Sequence, residues 1–445
     1  MSKQISSMIN RLVLVYLVFS LLIAGLVLGG SAAASSPQSA GVATSAARNA
    51  AIVATTVAVL KETSQIRELT IIRPVKSGAQ TRTDIERMVV KNLDHQTTPA
   101  EMHATEVALK KFGLVPAHFQ YRPFVIKLLT EQVAGYYDTK AQQFYLADWI
   151  ELEGQKPVMA HELTHALQDQ HFNLRRFEEW PKGDSDAEMA AHALIEGDAT
   201  LAMSLYMARN PLVALAFMRS LGSTTSSSKN FDSAPRALRE SLVFPYEQGM
   251  EWATRVYKKG GWPMVSQAFA KLPQSTEQIL HPDKYFASEA PVKISLPEVG
   301  NVLGSGWKKV DYDVNGEWGY YLVLDEFLKA PTESKRAAAG WAGDRYAIYE
   351  SPATGRVAIL QLTAWDTVED ARDFYEAYVK RTERRYEGAQ SFELFTEKEA
   401  AGKEFKAFQT NEGNVVIELR NDRVLIVEGV PGKVETKALL TMLWK

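Results

Sequence analysis

From Leu12 to Gly30 the chain is apolar without a break (LVLVYLVFSLLIAGLVLGG), and only beyond it does the pattern become mixed and periodic. Lys3 and Arg11 precede this run, and SAAASS follows it, with small residues at Ala32 and Ala34. A basic start, an apolar segment and an A-x-A arrangement predict a secretory signal peptide. The run also approaches the ~20 residues that span a bilayer, so an uncleaved N-terminal anchor is the alternative for residues 1–34. Either reading exports the remaining chain to the periplasm or the extracellular space, and the second adds membrane association through the N-terminus. Residues 35–60, rich in Ala and Ser, predict an unstructured linker.

Periodicity then predicts the elements. The β-branched run Ile66–Ile72 reads as a strand stopped at Arg73-Pro74. Thr83–Leu93 and Thr98–Phe112 are amphipathic at helical spacing. EQVAGYYDTKAQQFYLAD reads as a β-hairpin ending at Asp148, with FYLAD placed to be an exposed edge where an extended peptide could pair. Pro157 opens a helix, and a second runs from Asp186 to Met207, with Ser185 and Glu188 at capping-box spacing. Helical stretches follow at Tyr246–Lys258 and Met264–Leu272. The proline-punctuated segment Pro291–Pro297 marks a domain boundary. Past it come strand-like runs at Arg345–Glu350, Arg356–Thr363, Val415–Leu419 and Val424–Glu428, with one amphipathic helix, Thr367–Glu383, between the second and third. The expected fold class is α+β: a mainly helical domain with a small sheet over residues 61–290, then an accessory α+β domain over 297–445.

Composition narrows the chemistry. Of 445 residues 46% are hydrophobic, and Lys+Arg 50 against Asp+Glu 53 give a formal charge of −3. That balance excludes a nucleic-acid binder that works by neutralising phosphates. With no Cys, disulfide scaffolds, thiolate metal sites and cysteine nucleophiles are excluded as well. Any metal must be held by His and carboxylates, and there are only eight His residues.

Two of those His residues lie in VMAHELTHALQDQH. His161 and His165 are one helical turn apart and project from one face, where they can grip one cation. Glu162 is displaced by about 100° to the side of the pair, within reach of a metal-bound water. Two neutral imidazoles preserve the Lewis acidity of Zn2+, and the carboxylate takes the proton during attack, which is the arrangement amide hydrolysis requires. The flanking residues are apolar or uncharged, as in a buried helix with an inward polar site.

A third ligand has three candidates downstream. Glu196, in ALIEGDAT, is a carboxylate among small and apolar neighbours that needs a cation or a donor. Gly197 beside it allows two helices to approach closely. His171 has the six-residue offset of a third His in metzincins, but Gln168 stands where that geometry needs Gly, which favours Glu196. His192, one turn before Glu196, reads as a ligand, an outer donor or a core histidine. Tyr246, in FPYEQG, and His281, in STEQILHP, are candidates for an oxyanion-stabilising donor.

His161-Glu162-x-x-His165 followed by a helix bearing Glu196 resembles the gluzincin group of zinc metallopeptidases. HELTHALQDQH and ALIEGDA, with FPYEQG (244–249), GGW (260–262), STEQILHP (275–282) and GWAGDRYAIY (340–349), are similar to a group of exported bacterial metallopeptidase-like proteins. The resemblance implies a zincin-like catalytic domain acting on a peptide or protein substrate, with His161, His165 and Glu196 as zinc ligands and Glu162 as general base. Gluzincins often carry an acidic residue three or four positions after the ligand Glu. Here those positions are Ala199 and Thr200, which leaves Asp198 as the candidate orienter of a ligand imidazole. Two other readings stand beside this one. One is an envelope binding or assembly protein that keeps the metal without turnover. The other is an Fe(II) oxygenase, since two His and a carboxylate also suit iron, although it gives Glu162 no role.

Overall fold

The computed structural model describes residues 45–445 apart from 150, 179, 224–228 and 397–403, so the signal peptide or anchor read over 1–34 lies outside the described residues, as do linker residues 35–44. Helix α1, Ser45–Arg67, corrects two expectations at once. It occupies residues 45–60 of the predicted linker and the start of the predicted strand at Ile66. Its buried positions, Ile52, Thr56, Val59, Leu60, Thr63, Ile66 and Arg67, recur every three or four residues, the stripe of a core-facing helix. The alanines read as spacer are also the best helix formers. The apolar members of the stripe pack on Met159, Ala160, Leu163 and Leu167, behind the His pair.

Strands β1 (Lys76–Gln80), β2 (Gly135–Asp138) and β3 (Gln143–Ala147) form a small sheet in the order β1-β3-β2. The β2–β3 hairpin is the predicted one, with Gly135 opposite Leu146. β1 adds in parallel, Lys76 opposite Gln143. FYLAD is therefore the central strand, and the expected exposed edge is corrected: both of its sides are already paired.

Helices α2 (Arg82–Gln96), α3 (Pro99–Phe112) and α4 (Tyr121–Gln132) follow β1. Capping boxes at Thr81/Asp84 and Thr98/Glu101 start the first two. Next come α5 (Lys156–Phe172), α6 (Ser185–Arg209), α7 (Pro211–Ser223) and α8 (Arg236–Ala268). The cap of α6 is Asp184, which accepts from the Ala187 N–H, instead of the expected Ser185–Glu188 box. Ser185 is engaged elsewhere, its N–H donating to Asp313 at 2.9 Å. Helix α8 joins the two stretches predicted around 246–272, with a break at Gly260 and Gly261.

The second sheet is antiparallel, with strands β4 (Lys308–Asp313), β5 (Trp341–Ser351), β6 (Arg356–Trp365), β7 (Gln390–Ser391), β8 (Glu404–Thr410), β9 (Gly413–Arg420) and β10 (Arg423–Val430) in the order β4-β5-β6-β10-β9-β8-β7. The four strands read from sequence are β5, β6, β9 and β10, four consecutive strands of this sheet. Helices α9 (Gly316–Leu328), α10 (Pro331–Ala338), α11 (Val368–Arg385) and α12 (Thr436–Leu443) complete the chain. The α+β class is as expected. Residues 291–299 form neither helix nor strand, and one apolar core runs from Ile85 to Ile426, with members on both sides of them. Among the described residues no single helix is long and apolar enough to cross a membrane.

Candidate metal centre

Helix α5 is buried from Pro157 to Asp169. Packing on every side removes the usual polar outer face, and its polar side chains point at other protein groups. His161 and His165 project toward α6, and Glu196 meets them from there. His161 Nε2 lies 3.0 Å from His165 Nε2 and 3.0 Å from Glu196 Oε2, and His165 Nε2 lies 3.3 Å from the same oxygen. These three atoms could hold one metal ion. A tetrahedral ion with ~2.0–2.1 Å bonds spaces its donors by roughly 3.3 Å, so the triangle fits with small adjustment.

The close approach of the helices has a local cause. A Cβ on Gly197 would lie 2.1 Å from the Gly249 carbonyl oxygen, and one on Gly249 would lie 2.2 Å from that of Ala193. Glycine at both positions lets α6 and α8 pack backbone to backbone. That contact seats Tyr246, one turn before Gly249, against the ligands: its ring lies 6.1 Å from that of His161 at 29°.

Outside the triangle a hydrogen-bond relay sets the imidazole. The Gln168 amide nitrogen donates to Ile195 O at 3.0 Å and to Asp198 Oδ2 at 2.9 Å, so its carbonyl oxygen must face His165, 2.8 Å from Nδ1. Two acceptors thus fix the amide, the amide fixes the Nδ1–H tautomer, and the lone pair of Nε2 is left pointing into the triangle. Asp198 is held by Arg67 from α1, which also donates to Ser266 at 3.2 Å and lies over the Trp262 ring. Asp198, the candidate orienter of a ligand imidazole, is linked to His165 through Gln168. Sequence reading missed Gln168 and Arg67. Gln168, one turn after His165, could have been read from spacing, whereas Arg67 reaches across 131 positions with no local signal.

Glu162, beside the triangle, accepts the Tyr137 N–H of β2 at 2.9 Å through Oε2. The centre is sealed, with His161 2%, Glu162 2%, His165 6% and Glu196 1% exposed. Burial opposes charge on His161, His165 and Glu196. For His161 burial prevails and its pKa falls. At His165 the Glu196 carboxylate outweighs burial and lifts the imidazole to about 9, and that charge helps hold Glu196 down at about 2. A divalent cation would take the place of the proton on Nε2.

The other candidates separate cleanly. His171 bonds to Thr70 O at 2.8 Å and is no ligand. His192 is 1% exposed, both ring nitrogens lack a partner among the described residues, and burial keeps it neutral with a pKa near about 4. His281 is corrected away from the centre. Its Nε2 meets Glu317 at 2.9 Å, and both line a cavity of about 570 Å3 with Phe244, Glu247 and Trp318, on the side of α8 turned away from Gly249. A second acidic group, Glu277, Glu289 and Asp366, surrounds the Lys284 ammonium, which already supplies its cation.

Residues 302–439 match the profile of a domain of unknown function, DUF8575. Searches of curated proteins and of solved structures returned no match. The His161, His165 and Glu196 triangle lies wholly outside the matched residues.

Proposed function

We propose that the chain is an exported, zinc-dependent metallopeptidase with a zincin-like catalytic region. The convergence of His161, His165 and Glu196 on one point, with a fixed carboxylate beside it, carries this reading. Three protein donors leave a fourth tetrahedral position for a non-protein ligand, the pattern of catalytic zinc. His161, His165 and Glu196 would hold the zinc, which would supply Lewis acidity toward water and the scissile carbonyl. Glu162 takes the proton from the attacking water and passes it to the leaving amine, with the Tyr137 N–H holding one carboxylate oxygen and aiming the other. Tyr246, whose ring lies 6.1 Å from that of His161, is the candidate donor to the carbonyl oxygen in this reading.

Burial of all four side chains favours a second reading, a metal-binding envelope protein without turnover, because the centre must open to admit a peptide. One experiment decides between them. The purified chain should cleave an unfolded protein such as casein, lose that activity to a chelator and regain it with zinc. Glu162→Gln should bind zinc normally and turn over ~100–10,000-fold more slowly. Zinc binding without cleavage, or cleavage unchanged in Glu162→Gln, refutes the peptidase.

A further inference from the structure

We propose that the outer face of α7 rests on the surface of a phospholipid bilayer. From Pro211 to Met218 the helix reads PLVALAFM, without a charged or hydrogen-bonding side chain. Its inner side is packed: Phe217 is buried, and Val213 joins the apolar cluster shared by α1 and α5. Its outer side is apolar as well, with Leu212 83%, Leu215 47% and Met218 39% exposed at three-residue spacing along one face. A helix apolar all round belongs inside a core or against an apolar phase, and the chain covers only half of this one.

Charge and tethering point to lipid as the cover. Helix α7 has no acidic residue, and exposed Arg209 and Arg219 stand just before it and near its end, suited to phosphate headgroups. It leaves α6 at 114°, and at that corner Asn210 donates to Glu62 of α1 at 2.6 Å. Helix α1, with Val53 and Val57 exposed, begins at Ser45, and the 14 residues between it and the apolar run 12–30 reach at most about 50 Å. A run of that kind in a bilayer tethers α1, and α7 beside it, to the same surface.

The chain has no Cys, so Leu215→Cys gives the full-length protein a single labelling site, and exposed Val368→Cys in α11 serves as the control. Each is labelled with an environment-sensitive fluorophore and mixed with vesicles of phosphatidylcholine and phosphatidylglycerol carrying a nitroxide lipid. The expected result is a blue shift and at least twofold quenching at position 215, with neither at 368. A label at 215 that stays in water on vesicle-bound protein overturns the proposal. So does a blue shift without quenching, which means that protein covers the face, and so does equal quenching at both positions.

Discussion

At the residue scale the centre depends on a chain of pairings, each link fixing the next. Gln168 is the link whose loss should be felt at the metal. Gln168→Leu keeps the volume but frees the His165 ring, so the zinc dissociation constant should rise ~10–100-fold in a competition titration while the fold persists. His192 supplies the opposite test. Both of its nitrogens are buried without partners among the described residues, so His192→Leu should leave zinc affinity within a few-fold and raise the denaturation midpoint, because an orphaned polar group costs about 1–3 kcal/mol. A collapse of affinity in that variant would make His192 a ligand and change the donor set.

At the element scale the decisive feature is the crossing of α6 over α8. Gly197→Ala drives a methyl group into the Gly249 carbonyl, and overpacking of this kind costs about 1–3 kcal/mol or more. The variant should melt several degrees lower and bind zinc less tightly, since Glu196 is displaced with its neighbour. An unchanged melting temperature would show that the helices can separate freely. Much of this was legible beforehand. The His161/His165 pair, Glu162, Glu196 and the tight Gly197 contact all follow from spacing within one helix or from a polar residue in an apolar run. The errors fell where a local pattern had two solutions. Alanine-rich residues 45–60 suit a spacer or a helix, and only the long-range burial of Ile52, Val59 and Ile66 decides. Residues 69–75, read in part as strand, instead follow the side chain of Gln170, which accepts from the N–H groups of Ile72 and Arg73. The strands missed in the larger sheet, β4, β7 and β8, are peripheral ones whose exposed charged or polar residues break the apolar alternation.

At the scale of the whole molecule the C-terminal sheet and its helices hold the helix that bears Glu196. Asp186, in the first turn of α6, accepts from Thr276, whose hydroxyl in turn accepts the Trp318 N–H at 3.2 Å. Gly316, at φ 72°, leaves room for that carboxylate, since a Cβ there would lie 1.7 Å from Asp186 Oδ1. A separate tie, from the sheet to α3, is electrostatic: buried Glu428 of β10 bonds Arg381 at 2.8 Å and Arg385 at 2.9 Å, and Arg381 reaches Phe112 O of α3 at 2.7 Å. Burial opposes the Glu428 charge, but the two guanidinium groups outweigh it and hold its pKa down at about 2. Because the folded value lies below the ordinary 4.5, this stabilisation is complete above pH ~4.5 and drains away as pH falls toward 2. Wild-type denaturation midpoints should therefore drop over that window. Glu428→Gln, already lower at neutral pH by roughly 3–5 kcal/mol, should drop less. Parallel pH profiles for the two proteins would remove Glu428 from the account.

The central claim, that this triangle is a zinc site with an open position, is tested most directly by zinc K-edge X-ray absorption on the purified protein. The prediction is one zinc per chain with two imidazole nitrogens, one carboxylate oxygen and one non-protein oxygen at ~2.0–2.1 Å, and loss of the carboxylate in Glu196→Ala. A first shell filled entirely by protein donors, or one untouched by Glu196→Ala, would contradict it.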